Sequence, residues 1–265
     1  MNIRTVIKYA AAAALAMANP AMAQSSVKDL AAMASAAMDT ARERSDQAAA
    51  PEAVKGIFAK AEEAAEVAEA SKGAVSKLAS EMVPIPGKDY SMCKYEVTQA
   101  LWFAVMGENP SYFKGVDRPV ENVSWNECQM FLEKLKALPE VKASGKTYRL
   151  PTAYEWEFAC RAGATGGYCM LADGTEITEE TLGAVAWFDE NSDTKTHPVG
   201  QKKPNAFGLY DMHGNVWEWT SSAVGDYRVC CGGSWGNFVY FCEAGYRFRY
   251  YPDYRFNNVG FRLAH

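Results

Sequence analysis

The chain has 265 residues, with 27 basic and 32 acidic side chains and a net charge of -5. That is room for one good-sized domain plus an appendage. Without clustered Lys and Arg there is no electrostatic case for nucleic acid or for an anionic membrane surface as partner. Seven cysteines with no CxxC pair argue against a thiolate zinc site. Three histidines, His197, His213 and His265, lack metal-ligand spacing and give little support to an iron site.

Residues 1–23 read as a secretory signal peptide. Arg4 and Lys8 make a positive start, Tyr9 to Ala18 is apolar but too short to span a bilayer, and Ala21-Met22-Ala23 offers a small-x-small cleavage site. The protein is therefore expected to be exported, to the periplasm, the cell surface or the medium. No other segment is apolar and long enough to span a membrane. Export permits disulfides, but an odd cysteine count leaves at least one thiol unpaired within the chain.

Residues 24–80 are a different material, rich in Ala, Glu and Lys, with no Trp or Tyr and with Phe58 as their one Phe. Strong helix formers dominate, and Pro51 divides the segment. Its apolar side chains are sparse, and Ala buries little area. The segment reads as a helical stalk capable of self-association as a weak coiled coil, or else as a partly disordered linker.

From Glu81 aromatics, Gly and Pro appear throughout. A helix is expected over Thr98 to Met106 with Thr98 as N-cap. A second is expected from Trp125 to Leu138, where Ser124 and Glu127 form a capping box and Phe131, Leu132, Leu135 and Leu138 an apolar face. A third, short helix is expected over Thr152 to Ala162. The rest, punctuated by Gly, predicts ordered loops and short strands.

Several segments in this region resemble the formylglycine-generating enzyme, or sulfatase-modifying factor, family. They include Lys94-Tyr95-Glu96-Val97-Thr98, Asn109-Pro110-Ser111, Arg118-Pro119-Val120, Val123-Ser124-Trp125 and Tyr148-Arg149-Leu150-Pro151-Thr152. Gly208 to Trp219 (GLYDMHGNVWEW), Gly232-Gly233-Ser234-Trp235 and Asn258 to Leu263 (NVGFRL) complete the ordered set. The resemblance covers residues 81–265. It implies an α+β, C-type-lectin-like fold with a small twisted antiparallel sheet, two packed helices and irregular loops. Such a fold does not by itself give a function.

The family's enzymes oxidise a sulfatase cysteine with oxygen and a copper(I) ion held by two thiolates. By resemblance the second thiolate is Cys242, but the first falls on Asn237, so a copper site is not expected. Trp217 and Ser234 match residues around the oxygen and substrate pocket, and both also suit packing. Cys242 is expected to be a buried structural cysteine. Cys160 matches a disulfide-bonded cysteine of the animal enzyme, yet its partner position is Arg247. The resemblance also implies a calcium site, with the Asp211 and Glu218 carboxylates and the Gly214 and Val216 carbonyls as hard oxygen donors. The alternative there is a calcium-free turn with Glu218 in a salt bridge.

Between Trp235 and Phe256 stand ten aromatics in 22 residues. Neighbours such as Tyr240-Phe241 and Tyr250-Tyr251 cannot all point inward from an extended chain. Exposed aromatics in such a cluster suit a binding surface. The expected ligand-binding residues are Phe238, Val239, Tyr240, Phe241, Phe248, Tyr250, Tyr251, Tyr254 and Phe256. The unusual residues at 236 to 241, 245, 248, 250, 251, 254 and 256 can all be reached from an asparagine AAC codon by changing adenines. That pattern resembles the variable proteins of diversity-generating retroelements, although Glu243 does not fit it. The expectation is an exported, non-catalytic protein that binds a protein or surface ligand. The alternative is a copper- and thiol-dependent oxidase of the formylglycine-generating class.

Overall fold

The computed structural model describes residue 67 and residues 69–265. The expected signal peptide and most of the expected stalk lie outside the described residues. What is described of that second segment includes helix α1 (Ala74–Leu78). It is packed on the domain, with Leu78 in the main core and Ala74 and Val75 against it.

The helices begin where local chemistry places them. Thr98 accepts the Leu101 amide and opens α2 (Gln99–Met106), which ends at Gly107 in the left-handed region. Ser124 and Glu127 close a reciprocal capping box at the start of α3 (Trp125–Ala137). Pro139 opens the short α4 (Pro139–Ser144). Thr152 and Glu155 form a second capping box for α5 (Ala153–Arg161). Each such cap stabilises its helix by about 1 kcal/mol.

Strands β1 (Met82–Pro84) and β2 (Ser91–Cys93) form an antiparallel pair. The C-terminus returns to them: the His265 amide donates to the Ser91 carbonyl, and Ala264 bridges to both Met92 and Arg149. The central sheet has the order β7-β6-β5-β8, with β5 (Trp217–Val224), β6 (Tyr227–Cys231), β7 (Phe248–Tyr250) and β8 (Val259–Phe261). Its hairpins are antiparallel, and β8 runs parallel to β5.

Alternation along these strands divides the core. Trp217, Trp219, Cys230 and Phe261 pack with Trp102 of α2 and Phe131 of α3. There Trp102 stacks on Phe131 at 5.3 Å, and Phe261 meets both edge-on. Val229 and Cys231, on the other face, pack against Trp156, Ala159 and Cys160 of α5. A third cluster under the long loops joins Tyr168, Leu182, Phe188 and Cys242.

Two-residue strands β3 (Ala186–Trp187) and β4 (His213–Gly214) pair in parallel beside the sheet. A Cβ at Gly214 would lie 2.0 Å from the Trp187 carbonyl oxygen, so only glycine allows that approach. Among the described residues no helix is long and apolar enough to cross a membrane.

Candidate functional site

The nine aromatic and aliphatic residues expected to bind ligand lie in two segments. Phe238 caps a 3-10 turn over Val239–Cys242, and residues 248–256 comprise β7 and the loop that follows it. Phe238, Tyr240, Phe248, Tyr251 and Tyr254 are exposed. Val239, Phe241, Tyr250 and Phe256 are half-buried, with Phe241, Tyr250 and Phe256 packed on the main core. None is fully buried.

Ring contacts link the two segments. Phe238 meets Tyr240 at 6.2 Å, Tyr240 meets Phe241 at 4.2 Å, and Phe241 meets Tyr246 at 5.0 Å. Buried Trp217 then touches both Tyr246, at 6.0 Å, and Phe248, at 5.8 Å. From Phe248 the path continues to Tyr250 (4.7 Å), Phe256 (4.6 Å), Tyr254 (6.1 Å) and Tyr251 (5.6 Å). It ends on Tyr227 at 4.5 Å, whose hydroxyl is 3.1 Å from that of Tyr251. Tyr227 lies outside the aromatic-rich stretch of sequence; only the β6–β7 pairing brings it in. The residues between the two segments face inward: Cys242 and Ala244 are fully buried and Tyr246 packs on the main core.

The residues matching the enzyme's chemistry are all buried. Trp217 lines the core at 1% exposure, and Ser234 and Cys242 at 0%. The Ser234 hydroxyl donates to Asn237 Oδ1 at 2.5 Å and accepts from Asn258 Nδ2 at 3.2 Å. Burial pushes the Cys242 thiol up to about 12, so it carries no thiolate near neutrality. A Cβ on Gly233 would lie 2.5 Å from the Cys242 sulfur, which accounts for glycine at that position.

All seven cysteines are buried and free. Cys160 has as neighbour His213, whose Nε2 is 3.5 Å from the thiol sulfur, while its Nδ1 donates to the Cys242 carbonyl at 2.7 Å. Burial lowers His213 to about 4, so this is a neutral pair in the core. Arg247, at the position of the lost disulfide partner, instead pairs with Glu157.

Of the four residues expected to hold calcium, the two carboxylates are both buried, and Glu218 is already paired with a cation. Glu218 is 1% exposed and Arg262 is 0% exposed. Arg262 Nε lies 3.2 and 3.1 Å from the two Glu218 oxygens, and Nη2 lies 2.8 Å from Oε1. Trp156 Nε1 donates to Oε2 at 2.6 Å. The carboxylate is thus neutralised by a cation of the protein. Asp211 does lie nearby: Oδ2 accepts the Gly200 amide at 2.7 Å and Oδ1 is buried without a partner. Burial pushes Asp211 up to about 6, against the Gly200 amide and the charge of Arg262. Glu96, also buried, is raised by desolvation and by the Asp211 and Glu218 charges; it accepts Asn215 Nδ2 and the Val216 amide. Among the described residues no group of three His, Cys, Asp or Glu side chains is placed to hold a metal ion.

The family model described as "Sulfatase-modifying factor enzyme 1-like domain" matches residues 53–265. A relative from Paenibacillus barcinonensis, "Chaperone protein LppX", is 31% identical, covering 60% of this chain and 73% of its own. "Inactive C-alpha-formylglycine-generating enzyme 2" of Bos taurus is 32% identical, covering 63% of this chain and 57% of its own. The solved structure of Treponema denticola variable protein 1 superposes with a TM-score of 0.57 and 32% identity, over 66% of this chain and 84% of that one. The C-type-lectin-like, formylglycine-generating-enzyme-like fold implied by the sequence is the fold of this protein.

Proposed function

The chain belongs to the sulfatase-modifying factor enzyme 1-like domain family, and we propose that it is an exported, non-catalytic member that binds a ligand through its aromatic C-terminal surface. The observation carrying this reading is the unbroken path of ring contacts from Phe238 to Tyr227, with exposed rings at both ends. Large rings with few rotatable bonds give much contact area for little lost side-chain entropy. Folding leaves Phe238, Tyr240, Tyr251 and Tyr254 about half exposed, so a partner that covers them gains the burial that folding forgoes.

Catalysis by the family's dithiol route lacks its parts. Asn237 supplies an amide where a first thiolate would stand, and it is bonded to Ser234. Cys242 is sealed and protonated. The relative named as inactive and the variable-protein structure support a binding role, and the signal-like residues 1–23 support export. The adenine-accessible pattern of the unusual residues supports diversification by a retroelement.

The test is to pan a random peptide display library on the full chain. Selected peptides should bind wild type and lose binding to Tyr251→Ala and Tyr254→Ala variants of unchanged melting temperature. Binders indifferent to both substitutions, and to Phe238→Ala and Tyr240→Ala, would overturn the surface assignment.

A further inference from the structure

Arg228 stands within this surface and is pinned without a counter-charge. It belongs to β6, where its ladder partner is Tyr250. Its guanidinium carbon lies 4.1 Å from the centre of the Trp125 ring. Trp125 is itself fixed, because its Nε1 donates to the Thr220 carbonyl at 2.9 Å. The backbone of the same turn is tied to the aromatic loop through the Asn126 amide and the Pro252 carbonyl. Next along the two strands are Tyr227 and Tyr251, whose hydroxyls touch.

Arg149, Arg161, Arg247, Arg255 and Arg262 all sit in ion pairs. The Arg228 side chain makes neither a hydrogen bond nor an ion pair among the described residues, and its Nε is shut off from solvent without a partner. An unmade hydrogen bond at a guanidinium is costly. Stacking on indole holds the planar cation with its N–H fork facing sideways. The Arg249 side chain also has no partner among the described residues, but Arg249 pairs with Val229 in the ladder and so faces the opposite side of the sheet.

We propose that Arg228 is the anion anchor of the aromatic surface and receives the carboxylate of an Asp or Glu side chain from a polypeptide partner. The residues flanking that carboxylate would lie on Phe256 and Tyr254, which ring contacts join to Tyr250 on the Arg228 side of the sheet. A planar carboxylate matches the fork with two parallel hydrogen bonds. The proposal rests on the binding reading above, and the two can fail separately.

The test uses the full chain with nitrogen-15-labelled arginine and three blocked, amidated peptides of alternating apolar and polar residues. One carries Phe and Glu, the second Phe and Gln, the third Phe and phosphoserine. The Glu peptide should shift the Arg228 Nε–H resonance and bind about tenfold more tightly than the Gln peptide, the scale of one charge-assisted bidentate contact. Arg228→Lys, which keeps the charge and loses the fork, should narrow that ratio. Arg228→Gln should abolish it while leaving Gln-peptide binding intact. Equal affinity of wild type for the Glu and Gln peptides, both lost in Tyr254→Ala, would remove the anchor and leave the binding surface standing. Tighter binding of the phosphoserine peptide would overturn the carboxylate assignment. Binding of none of the three would overturn the anchor, with the library selection then deciding the surface. Should the Arg228 variants fail to fold, the wild-type resonance decides alone.

Discussion

Arg262 and Glu218 meet on adjacent strand ends in the middle of the molecule, with hydrogen bonds of 2.8 to 3.2 Å and no solvent contact for either side chain. Arg262 also donates to the Cys93, Lys94 and Tyr210 carbonyls. One guanidinium therefore ties together β2, β5 and the loop preceding β4. Removing one partner alone, by Glu218→Gln or Arg262→Gln, should cost about 3–5 kcal/mol, because the other group is left buried and unmatched. The double replacement by Met should cost clearly less than the sum of the singles. Additive losses in chemical denaturation would show that the two groups do not act as a pair.

The same contact predicts the response to calcium. With both Glu218 oxygens committed, neither chelator nor added calcium should move the melting temperature. A rise with calcium that Asp211→Asn abolishes would reinstate the metal site, since a ligand held at a hundred times its Kd stabilises by about 2.7 kcal/mol.

Exposure separates two kinds of aromatic residue. Ala at Phe238, Tyr240, Tyr251 or Tyr254 should change stability by no more than about 0.5 kcal/mol, as at ordinary surface sites. Ala at Trp217, buried between Tyr246 and Phe248, should cost about 3–5 kcal/mol. Losses of core size at the four exposed positions would mean they serve folding rather than recognition.

Thiol chemistry should follow burial. The native chain should react very slowly with a thiol reagent, and the unfolded, unreduced chain should titrate seven thiols, since all seven are buried and free. Copper-loaded protein should leave the cysteine of a sulfatase-motif peptide unchanged in mass. Conversion of that cysteine to an aldehyde would establish catalysis despite Asn237.

Glu121 introduces a pH dependence. It is fully buried; the Phe113 amide donates to Oε1 at 2.8 Å while Oε2 has no partner. Burial pushes its carboxyl up to about 7, against those backbone donors. The folded chain therefore holds a proton that the unfolded chain releases near pH ~4.3. The resulting stabilisation is complete below about pH 4 and is lost as pH rises through about 7. Asp211 and Glu96, also raised, act in the same direction. Glu121→Gln should flatten this decline, gaining up to about 3 kcal/mol relative to wild type at pH 8. Melting curves of the two proteins that stay parallel from pH 4 to 8 would refute it.

Much of the helical framework was legible because caps are local. Thr98, Ser124 with Glu127, and Thr152 with Glu155 lie within one turn of the amides they satisfy. The inward set at Cys242 and Ala244 and the exposed rings around it were also readable, since adjacent large rings in an extended chain cannot share one side. The role of Glu218 was not legible. A carboxylate beside a tight turn looks alike whether it faces a metal ion or a guanidinium 44 positions away. Tyr227 and Arg228 were missed for a related reason: nothing near them in sequence is aromatic-rich, and only strand pairing sets them beside Tyr250 and Tyr251.

The sequence by itself determined the family, the fold, the helix starts, the missing first thiolate at Asn237 and the excess of aromatics near the C-terminus. These are properties of neighbouring residues or of an ordered set of short segments. Tertiary structure alone decided that two separated aromatic segments join through Trp217 and Tyr246, that Tyr227 extends them, and that Arg262 pairs with Glu218. Burial and long-range pairing fix those outcomes. Both depend on which distant groups the sheet brings within a few ångströms, because desolvation makes an unmatched charge or donor there far more costly than at the surface.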